Sequence, residues 1–167
     1  MFEALDKIVS SLARFMAALG GIVLILTILV TCISIAGRSL SDFGLSQISG
    51  DFEIVELGVG FAVFAFLPWT QYARAHARVD LLEANFPRIV NKLADLAADL
   101  LLLAIAVVMT WRLWLGMLDK RSFGETTFIL QFPIWTAYVA ALAGMVAFVI
   151  VASFCVLRSA RQMGARA

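Results

Sequence analysis

Residues 15–37 read "FMAALGGIVLILTILVTCISIAG", an uncharged run bracketed by Arg14 and Arg38. A helix crossing the hydrocarbon core of a bilayer takes about 20 mostly apolar residues. The run meets that length, so it is read as a membrane-spanning helix. A cleaved signal peptide, with Ser34-Ile35-Ala36 at the cleavage site, is the rival reading. The stretch is longer than the roughly 7–15 apolar residues of a signal core, so the run is read as retained.

Outward from this run the chain repeats the pattern. Of its 167 residues, 62% are hydrophobic and 15% charged, against about 45–50% and about 25% in an ordinary soluble domain. A chain this size cannot hide such an excess in a soluble core. The second run, 53–72, reads "EIVELGVGFAVFAFLPWTQY", and Pro68 is expected to kink or loosen its last turn. The third, 87–116, opens on Pro87, which suits a first helical turn. Its uncharged centre, Leu100 to Trp111, is short, and Asp95 and Asp99 share one face at i,i+4 spacing. The fourth span, 133–157, starts at Pro133, with "TTFILQF" (Thr126 to Phe132) as an apolar lead-in at the interface. Trp69, Trp111, Trp114 and Trp135 fall near span ends, as an aromatic belt does. Nothing marks a second domain or a repeat.

Four spans put both termini and the middle loop on one side. Lys and Arg number nine on that side and four on the other, so the positive-inside rule places both termini in the cytoplasm. The loop "YARAHARVDLL" (Tyr72 to Leu82) is then cytoplasmic. Arg74 and Arg78 are expected to meet anionic headgroups, and His76 to have a structural role. Asp80 with Glu83 forms a capping arrangement that opens a short interfacial helix before Pro87. The fold class is an all-α integral membrane protein: four transmembrane helices and one interfacial helix between the second and third.

Several chemistries lack their parts. Bis-histidine haem needs two histidines and zinc three or four ligands, whereas the chain has one His and two Cys. Cys32 and Cys155 fall near opposite faces, beyond the roughly 7 Å Cα separation of a disulfide, so both are expected as free thiols. Neither a phosphate-binding Gly-rich loop nor a Gly-x-Ser-x-Gly elbow is present. A net charge of +1 implies no attraction to nucleic acid. Intramembrane charges mark substrate paths, and here the charges cluster at helix ends. Small residues recur at four-residue spacing: Ala13, Ala17 and Gly21; Gly58 and Ala62; Thr136, Ala140 and Gly144. Such stripes let helices approach closely in lipid, within this bundle or against another subunit. The inventory fits a protein that supports transport or assembly. A membrane anchor or redox subunit of another complex, and a free-standing tetraspan protein, are the alternatives.

Local features in a fixed order carry a more specific reading. One span ends in Gly37-Arg38. Asp51, Glu53 and Glu56 open a second span rich in Gly and Phe (Gly58, Gly60, Phe61, Phe64, Phe66). "HARVDLL" (His76 to Leu82) follows it, and "GETTFILQFPIW" (Gly124 to Trp135) precedes the last span. This ordered set resembles the small membrane subunit of TRAP transporters, the DctQ-like family, with its His-x-x-Val-Asp and Leu-x-x-Pro-x-Trp patterns. The resemblance implies a non-catalytic subunit in the bacterial inner membrane, with no cofactor of its own. It implies two partners. One is a large DctM-like membrane subunit that carries an organic acid and sodium ions by an elevator motion. The other is a DctP-like periplasmic binding protein. The small subunit braces the large one's scaffold, and Arg38, Lys120, Arg121 and Glu125 are the periplasmic residues expected to meet the binding protein.

Overall fold

The chain forms four helices in a computed structural model that describes residues 2–40, 46–75 and 88–164. They are α1 (Phe2–Ser39), α2 (Asp51–Tyr72), α3 (Arg88–Phe123) and α4 (Ile134–Gly164). Each is long and apolar enough to cross a bilayer, and the described residues contain no strand beyond one isolated bridge. His76, Arg78, Asp80 and the expected interfacial helix lie outside the described residues.

Successive helices run in opposite directions. Tyr72 at the end of α2 bonds to Asp6 near the start of α1, and Asp51 at the start of α2 bonds to Ser34 near the end of α1. Gly116, late in α3, meets Tyr138, early in α4. The end that gathers the start of α1 with the last turns of α4 is the termini end; the opposite end is the loop end. α4 is the hub, touching all three other helices, whereas α1 and α3 stay apart. The most apolar window of α4 is 56% buried, against 11% in α1 and α3.

The packing is that of helices in lipid. Fully buried positions are dominated by small side chains such as Ala13, Ala62, Ala65, Ala106 and Ala152, while Ile25, Leu26, Ile28, Ile33 and Leu101 lie exposed. Helices that gain nothing from burying Leu or Ile associate through small residues and close backbone contact. A close backbone approach joins α2 and α4. Pro68 has no N–H to give the Phe64 carbonyl one turn earlier. The backbone of Phe64 faces Gly144: a Cβ built there would stand 2.7 Å from the Phe64 oxygen.

α1 and α3 overrun the spans expected from hydropathy. α1 begins at Phe2 rather than near residue 15, and α3 continues past Gly116 to Phe123. At 1.5 Å per residue Trp111 lies about 18 Å before the end of α3. Trp111, Trp114 and the exposed Arg112 are therefore well inside the helix, not at its end. Trp69 and Trp135 do lie near helix ends.

Candidate functional site

Polar side chains pointing into an apolar bundle are costly unless paired, so their positions mark what the fold protects. Here Ser10 and Thr27 bond to carbonyls of their own helix, and the others form one clasp at each end.

At the termini end the clasp draws on all four helices. Asp99 of α3 is buried, and both its oxygens are used. Gln71 Nε2 of α2 donates to Oδ1 at 3.1 Å, and Ser159 Oγ of α4 donates to Oδ2 at 2.5 Å. Arg74, just past α2, donates to Ser159 Oγ at 2.7 Å and to Asp95 Oδ2 at 3.2 Å, and lies 3.6 Å from Asp99. Its backbone φ of 51° turns the chain back over the bundle. Tyr72 donates to Asp6 of α1 at 3.0 Å. Arg158 donates to the Tyr72 carbonyl at 3.4 Å and stacks over the Tyr72 ring, and Arg14 of α1 lies over Trp69. The Cys155 thiol, also buried, faces the Gln71 carbonyl.

The loop-end clasp is built on α2's first turn. Asp51 accepts from Ser34 of α1. Glu53 is buried, and its two oxygens accept the backbone amides of Ile129 and Leu130 at 2.7 and 2.9 Å. The α3–α4 connection thereby folds down onto α2. It is a tight hairpin-like turn: Thr126 bridges Pro133, Thr127 N donates to the Phe132 carbonyl at 3.0 Å, and Phe132 N returns to Thr127 Oγ1 at 3.1 Å. Leu130 closes over Gly50, whose φ of 80° and lack of Cβ leave the room. Beside the turn, Lys120 pairs with Glu125 at 2.6 Å and Arg121 lies over Trp135.

Along α2, Gln71 and Glu53 are about 27 Å apart at 1.5 Å per residue. That is close to the roughly 30 Å of a bilayer's hydrocarbon core. The two clasps thus stand about one membrane thickness apart. Between them, an apolar groove of about 850 Å³ opens between α1 and α3 across the face of α4, lined among others by Met16, Trp111, Trp114, Val146 and Ile150.

The residues singled out from sequence fall in different places. Arg38 is exposed at the end of α1. Lys120 and Glu125 are committed to each other, and Arg121 is exposed. Arg74, expected at the headgroups, is turned into the termini-end clasp. Gly58 packs on Thr27, Ala62 is buried, Ala140 is half-buried, and Gly144 meets α2. A Cβ built on Gly21 would meet nothing within 4 Å; its neighbour Gly20 makes the contact, where a built Cβ would stand 3.1 Å from Ala65 Cβ. One residue turns a helix by about 100°, and which of two adjacent glycines faces inward is a matter of helix rotation. Sequence reasoning missed Gln71, Ser159 and Glu53 as clasp residues. The signal for Gln71 was there: an uncharged polar side chain within a span, which seeks a partner. Among the described residues, no group of three or more His, Cys, Asp or Glu side chains is placed to hold a metal ion.

A family model described as tripartite ATP-independent periplasmic transporters, DctQ component, matches residues 27–162. No curated protein and no solved structure matches the chain.

Proposed function

The chain belongs to the DctQ family of tripartite ATP-independent periplasmic transporter components, and on that premise we propose that it is the non-catalytic small subunit of a sodium-coupled carboxylate uptake system. It sits in the bacterial inner membrane with both termini in the cytoplasm. The termini-end clasp is then cytoplasmic and the loop end periplasmic. Substrate and sodium sites belong to a large elevator-type partner, and the small subunit widens and steadies that partner's fixed scaffold.

The observation that carries this reading is the pair of clasps. The charged side chains that the bundle buries, Glu53 and Asp99, are each committed to bonds between elements. Between the clasps the outward surface is mostly apolar, with Glu56 and Arg112 exposed toward the loop end. A block pinned at both ends, with lipid-compatible faces, suits a part that must stay still while another slides. At the periplasmic end, Arg38 and Arg121 are the exposed cations offered to a soluble binding protein, with the Lys120–Glu125 pair between elements beside them. Rim charges of this kind act on encounter rate and specificity.

Two measurements test the reading. Purification in mild detergent should bring down a much larger polytopic membrane protein, and deletion of the small subunit should abolish carboxylate uptake. Recovery of the chain alone, with uptake intact in the deletion strain, refutes it. Arg38→Glu should slow uptake while leaving the assembled membrane complex at its normal level; unchanged uptake removes Arg38 from the docking surface.

A further inference from the structure

We propose that the α3–α4 turn, residues 126–132, is a membrane-inserted knob, with its apolar tip in the outer headgroup and acyl boundary and Glu53 as its internal cap. Four observations carry this. First, the exposed side chains are the wrong kind for water: Phe128 is 96% exposed and Ile129 60%. The whole stretch 126–134 carries no charge.

Second, four of the turn's amides are paired within the protein. The amides of Ile129 and Leu130 go to Glu53, those of Thr127 and Phe132 to each other's residues, and Gln131 Nε2 covers the Phe128 carbonyl at 2.9 Å. An amide that leaves water for the edge of a bilayer costs free energy unless the protein supplies its partner. Third, the charges that flank the turn most closely, Lys120 and Glu125, are paired with each other. Fourth, Phe52 on the first turn of α2 and Phe123 at the end of α3 are each 76% exposed. Three separate elements at the loop end thus present phenylalanine outward. A lipid boundary surrounds the bundle and covers all of them, whereas a docked protein covers one side.

Glu53 then does more than join two elements. It withdraws two amides from solvent and so makes the turn's insertion possible. The proposal does not depend on the transporter assignment.

The test is a collision measurement on the full chain in phosphatidylethanolamine/phosphatidylglycerol vesicles. A nitroxide is attached to Phe128→Cys in a Cys32→Ser background, the remaining Cys155 being buried. Ile25→Cys, exposed in mid-span, and Glu3→Cys, near the start of α1, supply the lipid and water references. Membrane-soluble oxygen should collide with the Phe128 label several-fold more, relative to a water-soluble nickel chelate, than with the Glu3 label. A ratio equal to that at Glu3 places the knob in water. Low collision with both reagents places it under protein. Either result overturns the proposal. Glu53→Gln, which keeps one acceptor of two, should move the ratio toward the water reference; an unchanged ratio removes Glu53 as the cap.

Discussion

Gly144→Ala adds one methyl group at the tightest contact between α2 and α4, and the structure fixes its cost. The new Cβ would lie 2.7 Å from the Phe64 carbonyl oxygen, 2.8 Å from its carbon and 3.1 Å from its Cβ. Carbon atoms rest at about 3.5–4.0 Å, so the two helices must separate by the better part of an ångström. Backbone cannot rotate away as a flexible side chain does. Overpacking of this kind costs about 1–3 kcal/mol. Ala is favoured over Gly in a helix by about 1 kcal/mol, which offsets part of it. Gly21→Ala collects the same helical gain with nothing within 4 Å of its Cβ. Gly144→Ala should therefore be about 1–3 kcal/mol less stable than Gly21→Ala. The assay is unfolding of the purified chain by SDS in mixed micelles, followed by tryptophan fluorescence. The reference is Gly21→Ala, since helical propensity cancels between the two. Equal stability of the two variants would refute the close approach of α4 to Phe64.

The clasps and the loop give further expectations. Asp99→Ala strands Gln71 and Ser159 and leaves Arg74 with Asp95 as its ionic partner among the described residues, so it should cost about 3–5 kcal/mol in the same assay. The exposed Asp119→Ala should stay within about 0.5 kcal/mol of the parent chain. Glu53→Ala should raise amide exchange at Ile129 and Leu130 at least tenfold, measured by hydrogen–deuterium exchange in nanodiscs, an order of magnitude that follows from losing charge-assisted bonds. Lys120→Met opens a pair that is about a third exposed on each side, and the melting temperature should not move measurably, because solvent screens such pairs.

Residue chemistry and its order along the chain were enough for the spans and the family. Four predominantly apolar runs, the third with only a short uncharged centre, determine four helices wherever the surrounding solvent is hydrocarbon, because backbone groups there must pair within the helix. The family resemblance was likewise readable from local motifs. The apolar character of 126–132 was visible in the sequence, although not that Glu53, distant in sequence, would hold it.

What the tertiary structure decided was direction: which side of each helix faces which neighbour. Asp95 and Asp99 share a helix face in the sequence, yet Asp99 is buried among Gln71 and Ser159 while Asp95 remains partly open with Arg74. Arg74 read as a headgroup cation until its left-handed turn brought it over the bundle. Gly21 and Gly20 are indistinguishable by composition, and the rotation of α1 against α2 chose Gly20. Hydropathy reports how much of a helix avoids water. In lipid, both the inner and outer faces are apolar, so the amphipathic pattern that orients a helix in a soluble protein is missing. Orientation is then set by a few polar bonds and by backbone contact at small residues, and those exist only once the four helices have met.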